Sequence, residues 1–151
     1  MIFSSSEPKP ALSKEKNRME NQRKVPNKVV LLYNFFLYFC TMRKIIAYKN
    51  YFSDFIKKLS TDEINKIRRA LDLFKVEDKM PRHFIKFIRD GIYEFRVNYG
   101  NNEFRIFFIY DGDIVVVLFN AFKKKTQKTP DNEIKKAIKL KEEYYEAKRN
   151  Q

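Results

Sequence analysis

Gly91, Gly100 and Gly112 are the only glycines in this chain, and they divide one stretch of it into strand-length segments. Gly91 follows Asp90, Gly100 follows Tyr99, and Gly112 lies between Asp111 and Asp113. An Asp-Gly pair favours a tight hairpin, because glycine takes positive φ without steric cost. Between these turns run aromatic and β-branched segments: 84–89, 92–98, 103–110 and 114–120. Each reads as a strand, and together they predict a four-stranded antiparallel meander. The same glycines lie too far apart for a phosphate-cradling loop or a dinucleotide fingerprint.

The flanks supply helices. Lys44 to Tyr48 (KIIAY) reads as a short strand. Phe52, Phe55, Ile56 and Leu59 fall at helical spacing, as do Ile64, Ile67, Leu71 and Phe74 after a helix start near Ser60 and Thr61. Pro81 closes this pair. Pro130 and Asp131 open a charged terminal helix with Ile134, Ala137, Ile138, Lys141 and Tyr145 along one stripe. The predicted class is α+β: a short strand, two helices, the meander and a C-terminal helix, with the helices covering one face of the sheet.

Residues 1–41 stand apart. Met1 to Lys28 is polar and proline-bearing and reads as disordered. Val29 to Cys40 (VVLLYNFFLYFC) is mostly apolar but falls short of the ~20 residues that span a bilayer. Its long polar lead and the lack of a small-x-small site argue against a secretory signal. Met42 opens a run, MRKIIAYKNYF, that resembles the first strand of a small domain, so residues 42–151 form a plausible 110-residue unit. Residues 1–41 are expected to be a disordered or misassigned extension; a packing segment or membrane-surface anchor is the alternative. No membrane partner is expected.

The formal net charge is +13, of which +4 lies in residues 1–41 and +9 in residues 42–151. The excess therefore belongs mainly to the predicted fold, which points to a polyanion or an acidic protein as partner. Cys40 and His83 are the sole residues of their types. That excludes an internal disulfide, cysteine metal sites and histidine-rich centres. No metal or cofactor is expected.

Strand alternation locates a candidate site. Tyr93, Phe95 and Val97 take one face of their strand, and Glu94, Arg96 and Asn98 the other. With a four-residue loop at 99–102, Asn98 pairs with Glu103 and Arg96 lies opposite Arg105. The same register sets Phe95 against Ile106 and Val97 against Phe104, which keeps the apolar face consistent. Facing arginines repel. Either Glu94 or Glu103 neutralises them, or an anion binds between their planar forks. Carried back through Asp90-Gly91, the register sets Glu94 opposite Phe87, Arg96 opposite Ile85 and Asn98 opposite His83. The last strand then feeds a basic loop, AFKKKTQKTP, with Lys123, Lys124, Lys125 and Lys128. These lysines either form a solvated loop or meet the same phosphate as the arginines.

These residues carry a family resemblance. Gly91, Tyr93, Glu94, Phe95 and Arg96, then Arg105, then Phe122, Lys123, Lys124, Lys125, Thr126, Lys128, Thr129 and Pro130 resemble the pattern of HigB-type toxins. Those toxins belong to the RelE/ParE superfamily, in the branch with phage-derived gp49-like proteins. The resemblance covers about Met42 to Ala147. Two positions depart from it: Asn120 and Ala121 stand where the family often has His-Gly, and Phe95 stands for the usual Leu. The resemblance implies the toxin of a type II toxin–antitoxin pair, a cytoplasmic, ribosome-dependent mRNA endoribonuclease. It implies metal-independent cleavage by attack of a ribose 2′-hydroxyl on the adjacent phosphate. Arg96 and Arg105 would hold the phosphate, and Lys123 or Lys124 would neutralise it or protonate the leaving oxygen. Lys125, Lys128 and Asn120 would bind substrate, with Glu94 orienting an arginine. Phe107 or Phe119 would stack on a base if exposed. The partners implied are mRNA, the ribosome and a helix-turn-helix antitoxin whose complex oligomerises on operator DNA. Two alternatives stay open: a non-nucleolytic ParE-like toxin that binds a topoisomerase, and a basic RNA-binding regulatory module.

Overall fold

A computed structural model describes residues 42–125 and 128–151, together with Lys28, residues 30–32, Phe35 and Phe36. Met1–Phe39 and Cys40–Gln151 are separate compact units. In the first, the described residues are helical, and Leu31, Leu32, Phe35 and Phe36 are exposed. The other expectations for residues 1–41 lie outside the described residues, as does Thr126. Among the described residues, no helix is long and apolar enough to cross a membrane.

The second unit runs β1 (Lys44–Ala47), α1 (Tyr51–Ile56), α2 (Thr61–Val76), β2 (Ile85–Arg89), β3 (Ile92–Tyr99), β4 (Asn102–Asp111), β5 (Val115–Lys124) and α3 (Asp131–Arg149). The five strands form one sheet in the order β1-β5-β4-β3-β2. The meander is antiparallel as expected, and β1 joins its far edge parallel to β5, with Ile45 beside Val116. At the β2–β3 turn both Asp90 (φ 52) and Gly91 (φ 75) take left-handed backbone, the geometry that matches strand twist in a two-residue hairpin.

Helix α2 begins where its sequence provides a cap. The Ser60 side chain accepts from the Glu63 backbone, and the Glu63 carboxylate accepts from the Ser60 backbone N–H at 2.9 Å. Two orphan donors of the first turn are thereby satisfied. At its other end, the Arg43 guanidinium donates to the Phe74 carbonyl at 2.9 Å and the Asp78 carbonyl at 2.7 Å. A cation on the last carbonyls suits the negative end of a helix, and it ties α2 to the start of β1.

Helices cover both faces of the sheet, not one. On the first face, Ile67, Ala70 and Phe74 of α2 pack on Phe95, Val97, Phe104, Ile106, Phe108, Val116 and Leu118. The Phe74 and Phe95 rings stack with centroids 5.2 Å apart. On the second face, Ala137 and Leu140 of α3 cover Ile92, Phe107, Ile109, Val117 and Phe119. The reason lies in β4, which is apolar on alternate and intervening positions alike. A strand of that kind needs cover on both sides.

Two strand irregularities correct the expected registers. A shift between Phe87 and Arg89 sets Ile85 opposite Phe95 and Lys86 opposite Glu94. The Arg96 backbone then donates to Phe84 rather than standing against Ile85. His83 leaves register with Asn98, is exposed, and lies with its ring 4.3 Å from that of Phe84. A second shift places an extra β5 residue between the pairs Ile106–Ala121 and Phe108–Leu118. Moreover, β5 continues through Lys124, so Lys123 and Lys124 are strand residues, not loop residues.

Replacing Ser60 with alanine should lower stability by about 1 kcal/mol in urea denaturation. Glu63 gives this cap an acid limit. The hydrogen bond from the Ser60 backbone holds its carboxyl below the ordinary value of 4.5. Its folded pKa is depressed, so its contribution is present above pH 4.5 and fades as pH falls through the folded value. Denaturation followed from about pH 6 to about pH 3 should show a shallower loss in Glu63→Gln than in the parent.

Candidate functional site

The β3–β4 register is the expected one: Arg96 lies opposite Arg105, and Asn98 opposite Glu103. Both arginines point to the α3 face of the sheet, where Glu94 lies two residues before Arg96. Glu94 is completely buried. Its Oε1 accepts from Arg96 Nε at 2.8 Å and lies 3.4 Å from Arg105 Nε. Its Oε2 accepts from the Thr129 hydroxyl at 2.9 Å. One carboxylate therefore binds both arginines and the loop that precedes α3.

Arg105 donates hydrogen bonds from both Nη nitrogens. Its Nη2 donates to Glu103 at 2.6 Å, and its Nη1 donates to the Phe104 carbonyl at 3.2 Å and to Asn98 at 3.5 Å. Its Nε meets Glu94 only as an ion pair and makes no hydrogen bond among the described residues. The Arg105 side chain is 7% exposed and that of Arg96 30%. Glu94 and Glu103 together neutralise the pair in the ligand-free protein. Arg96 keeps the more accessible fork, because Glu94 takes its Nε.

A cleft of about 430 Å³ lies over this cluster, lined by Lys86, Ile88, Arg96, Lys124, Lys128, Thr129 and Ile134 among others. Lys86 reaches it from β2, and Lys124 from the end of β5, where it stands opposite Glu103. Lys124 Nζ lies 3.4 Å from the Glu103 carboxylate. Four cationic side chains thus line a cleft that meets the ion cluster at Arg96 and Thr129, a geometry suited to an anion with several oxygens.

Several expected residues lie elsewhere. Lys123 stands opposite Phe104 and faces away from the arginines, with its Nζ 3.6 Å from Glu63 at the cap of α2. Strand alternation through Lys124 is the cause, since neighbouring residues take opposite faces. Lys125 is exposed and does not line the cleft. Asn120 is turned by the β5 irregularity toward α3, where its amide donates to the Glu133 carboxylate at 2.7 Å and carbonyl at 3.1 Å. It is 2% exposed and joins β5 to α3. Phe107 and Phe119 are completely buried beneath α3, so neither offers a stacking surface. Among the described residues, no group of three His, Cys, Asp or Glu side chains is placed to hold a metal ion.

Lys86 joins the site without having been singled out for it, and Thr129, named in the family pattern without a role, joins it through Glu94. Aligning Ile85 with Phe95, apolar to apolar, would have revealed Lys86 opposite Glu94. The Thr129–Glu94 bond spans two elements distant in sequence and has no local signature.

Glu94→Gln should strand two arginines around a neutral amide. A loss of about 3 kcal/mol is expected in urea denaturation, the scale for breaking a buried ion cluster. Glu103→Gln removes a half-exposed carboxylate and should cost about 1 kcal/mol or less.

Residues 54–142 match the family model described as phage derived protein Gp49-like. The matched stretch runs from α1 into α3 and contains the whole ion cluster and the lining of the cleft. No curated protein matches the chain.

Proposed function

The chain belongs to the phage-derived Gp49-like family, a toxin-like family of the RelE/ParE type, and from that premise we propose that it is a HigB-type mRNA endoribonuclease acting on the ribosome. Membership in a toxin-like family implies an antitoxin partner. We assign that role to a helix-turn-helix protein whose complex with this chain binds operator DNA, and we assign the toxin to the cytoplasm.

The observation that carries the reading is Arg96, fixed by buried Glu94 and lining a cleft with Lys86, Lys124 and Lys128. In the proposed reaction the ribose 2′-oxygen bonds to the adjacent phosphorus and the bond to the 5′-oxygen breaks. The 2′-hydroxyl loses a proton and the leaving oxygen gains one, so the step consumes none overall. Negative charge builds on the non-bridging oxygens, and a guanidinium already held in place stabilises it without reorganising. Lys124 is our candidate for proton delivery to the leaving oxygen. Glu94 is a positioning residue: both of its oxygens are occupied and it is shut away from solvent. It therefore holds Arg96 instead of accepting the 2′-proton.

The test is induction of the chain in a bacterial host with mapping of new 5′ ends on cellular mRNA. The parent should arrest growth and create new ends. Arg96→Ala should reduce cleavage on the order of 100-fold, the scale for loss of one transition-state donor; loss of a partner for buried Glu94 also lowers its melting temperature, so cleavage is compared at a temperature where the variant's melting curve shows it folded. Full toxicity in Arg96→Ala would overturn the site assignment, and growth arrest by the parent without new mRNA ends would overturn the endonuclease reading.

A further inference from the structure

The two glutamates of the ion cluster differ in a way that bears on substrate binding. Glu94 is 1% exposed and held on both oxygens. Glu103 is 45% exposed, at the second residue of β4, beside the Gly100 turn. Its carboxylate bridges Arg105 Nη2 at 2.6 Å and Lys124 Nζ at 3.4 Å. Arg105 is nearly buried, and one end of its fork is met by this carboxylate. A carboxylate and a phosphodiester present similar paired oxygens to a guanidinium fork.

We propose that Glu103 is an internal stand-in for a substrate phosphate: its carboxylate occupies an anion subsite formed by Arg105 and Lys124, and a phosphodiester of single-stranded RNA displaces it. The proposal rests on the endoribonuclease reading above and adds a second phosphate position beside Arg96. Displacement is feasible because Glu103 is half in water already, so its release exposes little new charge. Glu94 has no such route and stays as the fixed counterion of both arginines. The exchange also reconciles an arginine whose two Nη groups are taken by protein partners with a role at the substrate. Arg105 becomes available only as an RNA phosphate replaces Glu103, and the free protein keeps part of the cleft's charge masked.

Neutralising Glu103 should therefore strengthen binding. Glu103→Gln cannot hold the two cations as an ion, so RNA meets the subsite without competition. Solution anions would cover Arg105 and Lys124 instead, and RNA binding would release them. Affinity should rise on the order of three- to tenfold at low salt, and its salt dependence should steepen by about 0.7 in log–log slope, the value for one contact to a single strand.

The experiment is fluorescence anisotropy of a 2′-O-methyl RNA oligonucleotide, which cannot be cleaved, titrated with the full chain at several salt concentrations. Asp113→Asn is the control for loss of a negative charge as such, since Asp113 is exposed in the turn at the far end of β4. The expected result is a gain in Glu103→Gln well above that of Asp113→Asn, with the steeper salt slope, and a smaller gain when Lys124→Ala is added. A gain no larger than that of Asp113→Asn overturns the exchange. Arg96→Ala separates the two levels of the argument. If it binds RNA as tightly as the parent, the cleft is not the RNA site and both readings fall. If it binds weakly while Glu103→Gln gains nothing beyond the control, only the exchange falls.

Discussion

Glu94 settles a conflict that the sheet itself creates. Antiparallel pairing of β3 with β4 puts two guanidinium groups directly opposite each other on one face, an arrangement that by itself opposes the pairing. The shared apolar face of Phe95, Val97, Phe104 and Ile106 favours the register, and an anion between the arginines removes the charge that opposes it. Glu94 supplies that anion from the same strand, on the same face, two residues before Arg96. Its second oxygen takes the Thr129 hydroxyl, so the carboxylate that permits the strand pairing also anchors the loop leading into α3. The placement of α3, the cover of the second face and the lysine that reaches the cleft from that loop are linked through one buried group. Replacing it with a well-packed apolar side chain would remove a desolvated charge but leave both arginines without a partner, which is why the cluster stands or falls as a unit.

The β5 irregularity has a comparable reach. An extra residue near Asn120 lets Phe119 pack into the core under α3 while Asn120 also meets Glu133 on that helix. Bulges commonly redirect a side chain in this way. Beyond it the alternation resumes with Ala121 on the first face and Phe122 on the second. Lys124 then falls on the arginine face, and Lys123 on the other. Without the extra residue the two lysines would exchange faces. The identity of the lysine beside Arg105 is thus decided by a backbone feature four residues upstream, not by the lysine run itself.

Much of this was legible in the amino-acid sequence, and the parts that were not have definite causes. The β3–β4 register followed from alternation because Phe95, Val97, Phe104 and Ile106 demand one shared face, and the turn length agrees. The β2–β3 register did not follow, since a single extra residue near Ile88 is invisible to a count made outward from Asp90-Gly91. The cover on both faces was readable in principle from FRIFFIY, where Phe107 and Ile109 are as apolar as Ile106 and Phe108. Assigning helices to one face left Phe107 and Phe119 in solvent, and that was the warning. The end of β5 was obscured because three consecutive lysines look like a loop. Ladder pairing to Phe104 and Glu103 outweighs that local preference, as tertiary context often does in strands.

The charge of the chain acts at two ranges. Several of its lysines are matched locally on the surface, as in Lys57 with Asp54, Lys75 with Asp72 and Lys135 with Asp131. Such exposed pairs contribute little to stability and are screened within about 8 Å at physiological salt. They leave a diffuse positive field that attracts any polyanion. The cleft differs because two of its lining cations are tied to carboxylates of the ion cluster, Arg96 to buried Glu94 and Lys124 to half-exposed Glu103. A field draws a nucleic acid to the surface, but it cannot select one phosphodiester among many. Selection requires guanidinium groups held at fixed separation with their counterions already arranged, and here that arrangement was built to solve a strand-pairing problem. The same repulsion that makes facing arginines unfavourable in an ordinary sheet is balanced here by two carboxylates, and the exchange we propose would let an incoming phosphate take over part of that balance.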